Sequence, residues 1–258
     1  MTDILLRHDS DAITTLTLNR PDARNALSMG LMEALDGELA AIAGDKTVKV
    51  VILAANGPAF CAGHDLRELR ATPTRETYEA TFALCSRLMR RIVRLPKPVI
   101  AQVHGVATAA GCQLVASADL AVAAETARFA TPGVNIGLFC STPMVALSRA
   151  VGRKRAMEML LTGKPVDAAT AAEWGLVNRV VPESDLDSAV AALAAHIVAK
   201  SPLTLAIGKE AFYRQAEMPL AEAYAYAAQT MTRNMLARDA EEGIDAFLEK
   251  RKPAWQDR

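Results

Sequence analysis

Phe60-Cys61-Ala62-Gly63-His64-Asp65-Leu66 and Gly105-Val106-Ala107-Thr108-Ala109-Ala110-Gly111-Cys112-Gln113-Leu114 decide how this chain is read. Each is a small-residue loop that follows an apolar, strand-like run and leads into a helix-like one. In the first, Gly63 permits a tight turn and close backbone approach just ahead of His64. In the second, the following helix is expected to begin near Ala110. The N–H groups of its first turn then lack intrahelical partners and point outward. Loops of this kind can aim donors into one cleft, where they hold an oxygen that gains negative charge during a reaction. Taken alone, the first loop could equally be an ordinary strand-to-helix turn.

Working outward, residues 12–19 are β-rich, residues 28–43 have helical spacing, and residues 48–54 form a continuous apolar strand. Ser28 is placed to cap the first helix, and Pro21 to end the strand before it. Residues 74–95 read as one long helix closed by Pro96 and Pro98. Strands are expected at 99–103 and 119–124. Short apolar strands separated by helices indicate an α/β architecture. Beyond about residue 141 the pattern becomes helix after helix, apart from a short strand within 175–181. No repeat or linker interrupts the chain.

The bulk composition narrows the function. The chain has 258 residues, of which 51% are apolar, enough for a sizeable buried core. Lysine plus arginine and aspartate plus glutamate each number 29, so there is no basic excess of the kind nucleic-acid-binding domains carry. The amino-terminal stretch Met1-Thr2-Asp3-Ile4 has neither a signal nor a transit pattern, and no run of about 18 apolar residues occurs. A cytoplasmic protein without membrane or nucleic-acid partners is the expectation. Four widely spaced cysteines without a CxxC pair argue against a zinc site and fit reduced, buried thiols. The second loop fails the dinucleotide fingerprint, because its frame is Gly105, Ala107, Ala110 and no acidic residue follows about twenty positions on. There is no P-loop and no GxSxG elbow.

The two loops, together with Leu18-Asn19-Arg20-Pro21, Asn25-Ala26-Leu27, Lys97-Pro98-Val99-Ile100-Ala101, Glu242-Gly243 and Phe247-Leu248-Glu249-Lys250-Arg251-Lys252-Pro253, resemble the crotonase (enoyl-CoA hydratase/isomerase) superfamily over nearly the whole length. The resemblance implies a ββα-spiral core over about residues 1–195 and a helical region over 196–258 that builds trimers or dimers of trimers. It implies an acyl-CoA substrate, with coenzyme A as part of that substrate, no permanently bound cofactor and no metal, and a place in fatty-acid metabolism.

It also implies roles for individual residues. The thioester oxygen would be held by the backbone N–H groups of His64 and Ala110, the latter standing where the family usually has glycine. Ala23, Arg24 and Ala26 would meet the CoA nucleotide, while Ala62, Asp65, Leu66, Ala109 and Pro132 would line the thioester channel. Phe247 and Lys250, one helical turn apart on the last helix, would lie near the adenine and the 3′-phosphate, often of a neighbouring subunit's ligand. A frayed basic helix end is the alternative for that pair. The family's hydratases use two glutamates, and their positions fall here on Gln113 and Gly133. An amide does not titrate near neutral pH and glycine has no side chain, so efficient two-glutamate hydration is not expected. Isomerase, thioesterase or decarboxylase chemistry, a weak hydratase, and a non-catalytic thioester binder are the readings left. His64 either contributes an acid–base side chain or simply lines the channel. His104 reads as a satisfied core histidine, and Arg87, Arg90, Arg91 and Arg94 as a solvated helix face.

Overall fold

The computed structural model describes residues 3–258. Met1 and Thr2, read above for targeting signals, lie outside the described residues. A six-stranded sheet forms the centre, built from β1 (Leu5–Ser10), β2 (Ile13–Leu18), β3 (Val50–Ala55), β5 (Val99–Val103), β7 (Leu120–Ala124) and β10 (Arg179–Val181), adjacent in that order. Strands β1 and β2 form an antiparallel hairpin, and all later pairings in this sheet are parallel. The hairpin turn uses Asp11 and Ala12, both with positive φ, as a two-residue turn matched to strand twist requires.

Because β3 and β7 lie inside the sheet and are covered on both sides, their sequences are continuously apolar. Alternate residues serve different cores. Val51, Leu53, Val99, Ala101 and Val103 join one cluster with helices α1 (Met29–Gly44) and α3 (Arg75–Arg94). Val50, Ile52, Ile100 and Val122 face the other way, toward Leu186, Val190 and Ala194 of α8 (Leu186–Val198). Ser28 caps α1 by accepting from the Leu31 N–H at 3.2 Å, and Thr74 caps α3 from the Thr77 N–H at 3.2 Å.

The arginine stripe on α3 is largely the solvated face expected, with Arg87, Arg90 and Arg94 exposed, but it also makes bonds the sequence did not show. Arg87 and Arg91 both bond the largely buried Asp36 of α1, Arg87 Nε at 3.0 Å from Oδ2, so two of the four arginines join helices. A second sheet of four short strands, β4 (Ala59–Cys61), β6 (Val106–Thr108), β8 (Arg128–Ala130) and β9 (Val166–Asp167), carries the two loops. Helices α2 (Leu66–Ala71), α4 (Ala110–Ser117), α5 (Ser141–Ala150), α6 (Arg153–Thr162) and α7 (Ala168–Glu173) complete the body. Three helices then follow: α9 (Pro202–Gln215), α10 (Leu220–Met235) and α11 (Arg238–Leu248). Lys209 and Tyr213 of α9 bond Asp119 at 2.6 Å and 2.9 Å, tying this region to the head of β7. Among the described residues no single helix is long and apolar enough to cross a membrane.

Candidate active site

Strands β4 and β6 are parallel neighbours, so the loops that leave their carboxyl ends emerge side by side. Two glycines let these loops touch. Gly63 has φ +95°, and a Cβ on it would lie 2.9 Å from the Ala109 Cβ and 3.5 Å from the Ala110 nitrogen. A Cβ on Gly111 would lie 2.1 Å from the Cys61 carbonyl oxygen, so only glycine lets the first turn of α4 press on β4. Around this contact the neighbouring amides are occupied. Leu27 N–H donates to Gly63 O at 2.7 Å, Asp65 N–H to Leu27 O at 3.0 Å, and Ala109 N–H to Ala130 O at 2.9 Å. The N–H groups of His64 and Ala110 donate to no protein group among the described residues. Two unengaged donors on abutting loops are what an oxyanion site requires.

Ala110 adopts ordinary helical geometry as the first residue of α4, so its methyl group does not disturb the loop. The constraint falls one residue earlier. Ala109 sits at φ 50°, ψ −116°, a conformation that favours glycine and costs an alanine about 1–3 kcal/mol.

A third segment braces the first loop. Asn25 is fully buried; its Oδ1 accepts from the Arg20 N–H at 2.8 Å, and its Nδ2 donates to the Asn56 and Ala59 carbonyls at 2.8 Å each. Ala62 N–H donates to Arg24 O at 3.0 Å, which brings Ala23, Arg24 and Ala26 against the Gly63–His64 loop. Arg20 bonds the Ala26 carbonyl at 2.5 Å and Asp65 Oδ2 at 2.9 Å. Asp65 Oδ1 in turn caps α2 through the N–H groups of Arg67 and Glu68, leaving Leu66 exposed at its first turn. Burial alone would raise the Asp65 carboxyl, but the Arg20 guanidinium and these amides outweigh it and hold it below the usual range. Asp65 is thus a structural anion. Sequence reasoning quoted Arg20 and Asn25 as family residues without giving them a task; a polar residue buried among apolar strands is the signal that could have done so.

The two glutamate positions differ from each other. Gln113 is buried on α4, with its Oε1 3.8 Å from the Cys85 Sγ of α3. Gly133 is not an open vacancy. A Cβ there would stand 2.7 Å from the Leu138 carbonyl oxygen and 2.9 Å from the Cys140 Sγ. The Leu138 N–H also closes back onto Gly133 O at 2.9 Å. The turn that Pro132 opens therefore folds over the place where a second acid would project. All four cysteines are free and buried; burial pushes the Cys61, Cys85 and Cys112 thiols up to about 12 and the Cys140 thiol upward. None is a thiolate near neutral pH.

His64 packs its ring edge-on against Phe82 of α3, with centroids 5.5 Å apart and planes at 78°. Both ring nitrogens are buried without a hydrogen-bond partner. Burial pulls the imidazole below its ordinary value, with the Leu27 backbone opposing. Phe82 is 40% exposed on the face of α3 that also carries Tyr78 and Ala83. His104 Nε2 lies 2.8 Å from the Gly57 carbonyl, a satisfied histidine.

Phe247 and Lys250 are not brought to the loops. Phe247 is 81% exposed on α11, beside a groove of about 580 Å³ lined by Leu205, Met235 and Trp255. The expectation that both share one helix face is corrected. Helix α11 ends at Leu248, and Lys250 lies beyond it with φ 55°, where Arg251 N–H closes onto Ala246 O at 3.0 Å. This left-handed residue terminates the helix before Lys250 can complete the turn. Among the described residues no cluster of three His, Cys, Asp or Glu side chains has metal-binding geometry.

Comparison with known proteins bears on this geometry. The family model described as enoyl-CoA hydratase/isomerase matches residues 8–258. The human enoyl-CoA hydratase domain-containing protein 3, mitochondrial, is 47% identical over 95% of this chain and 81% of its own length. The 2,3-dehydroadipyl-CoA hydratase of Escherichia coli is 38% identical over 95% and 96%. Among solved structures, an enoyl-CoA hydratase of Mycobacterium smegmatis superposes with a TM-score of 0.96 at 56% identity, covering 98% of this chain and 99% of that one. The human domain-containing protein 3 superposes with a TM-score of 0.95 at 46% identity, over 98% and 100%. These relatives correct the cytoplasmic placement expected above, since the rat, mouse and human proteins are each named mitochondrial. A compartment is set by an address separate from the folded core, so composition and cysteine usage do not report it. With its fold and nearly its whole described length matched, the chain belongs to the enoyl-CoA hydratase/isomerase family.

Proposed function

We propose that this protein acts on acyl-CoA or enoyl-CoA thioesters, receiving the thioester oxygen between the backbone N–H groups of His64 and Ala110. The contact of Gly63 with Ala109 and Ala110 carries this reading, because it sets two unengaged donors on adjacent loops. One such donor is worth about 10²–10³ in rate when charge develops on the oxygen it faces. Ala23, Arg24 and Ala26, held beside the first loop, take the nucleotide end of CoA. Ala62, Leu66, Ala109 and Pro132 border the thioester. Phe247 and Lys250 stand apart within one chain, and serve a neighbouring subunit of a homotrimer or dimer of trimers.

The reaction is one that develops charge on the thioester oxygen without a pair of glutamates: isomerisation or decarboxylation through an enolate, or hydrolysis through a tetrahedral oxyanion. The closed turn at Gly133 favours this over the hydration for which several relatives are named. The test is a panel of CoA thioesters followed by thermal melting and mass spectrometry. A ligand at a hundredfold its Kd stabilises by about 2.7 kcal/mol, or about 5–10 °C for a chain of this size. Such a shift with turnover is the expected result. A shift with no turnover across the panel leaves a binder, and no shift with any thioester overturns the assignment.

A further inference from the structure

We infer that the His64 side chain carries the proton in this site, taking it from the carbon next to the thioester carbonyl and returning it to the substrate. The inference rests on the thioester reading and adds the residue that does the acid–base work.

Elimination among the groups on and around the loops supports it. Gln113 does not titrate. The turn at Gly133 leaves no room for an acid. The Asp65 carboxylate is engaged by Arg20 and by two amides of α2. The four thiols are buried and protonated. His64 is what remains, and its geometry is unusual. Of three buried side-chain polar atoms without a partner among the described residues, two are its ring nitrogens. A buried polar group left unpaired costs about 1–3 kcal/mol, so an orphaned imidazole on a tightly braced loop calls for an explanation. A neutral imidazole offers a lone pair and an N–H, which are the base and acid a proton shuttle needs. Its own backbone N–H faces the oxygen that becomes the enolate. Its ring touches Phe82, whose side chain is partly exposed on α3. A thioester whose acyl chain runs along this face of α3 displaces the Phe82 edge and gives the imidazole the partner it lacks.

For a β,γ-enoyl thioester the step balances within the site. The imidazole lone pair takes the α-proton, and the C–H electron pair moves into a dienolate whose oxygen lies between the two N–H donors. The imidazolium then returns the proton to the γ-carbon, the double bond shifts to the α,β position, and the imidazole is neutral again. No co-reactant enters.

The experiment follows but-3-enoyl-CoA in D₂O by mass spectrometry, with thermal melting as a separate binding readout. The expected result is conversion to but-2-enoyl-CoA with deuterium incorporation. His64→Gln keeps the backbone donor and removes the base, and should lower the rate by about 10²-fold or more while the ligand-induced rise in midpoint persists. Equal rates in the two proteins, or wild-type binding with neither conversion nor exchange, overturn the role of His64 and leave thioester binding standing. No rise in midpoint for the wild type overturns the thioester reading itself. Should His64→Gln fail to fold, His64→Ala with added imidazole decides the same point. Restored exchange supports the assignment, and an unresponsive rate overturns it.

Discussion

Single backbone positions set this site. The Gly111 contact is the tightest, because the atom its Cβ would meet is a carbonyl oxygen of β4 and cannot rotate away. Gly111→Ala should therefore cost at least about 2 kcal/mol in urea melts and abolish thioester-induced stabilisation. Ala109 runs in the opposite sense. Replacing it with glycine relieves a strain of about 1–3 kcal/mol against a loss of about 0.4–1 kcal/mol through the unfolded chain. Ala109→Gly should thus leave stability unchanged or raise it by up to about 2.5 kcal/mol; a clear loss would show that the alanine methyl is held by packing. Gly133 tests the closed turn. Gln113→Glu with Gly133→Glu should yield no crotonyl-CoA hydration and a lowered melting midpoint, and hydration gained at unchanged stability would show that the turn yields readily. The two loops were legible in sequence as small-residue stretches between a strand run and a helix run, whereas His64 and Ala110 were named as donors only through the family resemblance. The closure at Gly133 was not. It depends on the carbonyl of Leu138, whose return to Gly133 is a matter of turn geometry and leaves no residue-type signature.

Between elements, the Asp36 carboxylate joins α1 to α3 through Arg87 and Arg91. Burial acts to raise this carboxyl, but the two guanidinium groups outweigh it and hold it below the ordinary range. A depressed carboxyl contributes stability that is complete above its unfolded value and is lost as pH falls through the folded one. Asp36→Asn should destabilise by about 1–3 kcal/mol at neutral pH, less than a fully buried pair because the arginine heads reach solvent. The gap between wild type and variant should narrow as pH falls through and below the ordinary carboxylate range, and a gap that stays constant would mean the loss is one of shape rather than charge. The arginine stripe is largely the solvated face expected, but the bonds from Arg87 and Arg91 to Asp36 were not legible because that partner lies on another helix, 51 residues earlier for Arg87. Elements themselves were most legible where punctuation and burial agree, as at residues 99–103, where Pro96 and Pro98 precede a buried run. The second sheet escaped notice. Strands of two or three residues are too short to display a period of two, and they exist because the loops beside them pack together.

For the whole molecule, the open question is what covers α9–α11. Phe212, Leu220, Tyr224, Met231, Leu236 and Phe247 are all exposed there, Leu236 at 83% and Leu220 at 76%. Scattered apolar side chains are ordinary on a surface, but six large ones on three consecutive helices form the kind of concentration that marks an interface. The same region is anchored to the core through Lys209 and Tyr213 on Asp119, so it is a fixed platform. A fixed apolar platform favours association, since little ordering entropy is lost when it is covered. The homotrimer or dimer of trimers proposed above predicts a mass three or six times 27.6 kDa in sedimentation velocity, and a mass of 27.6 kDa would overturn it. Replacing Tyr224 and Leu236 by lysine places like charges where apolar surfaces would meet, and should release the single chain. If Phe247 and Lys250 reach the CoA nucleotide of a neighbour, the released chain should also bind thioesters more weakly although every residue of its own two loops is intact. A dissociated variant with unchanged thioester affinity would place the whole nucleotide site within one chain, on the Arg24 loop alone.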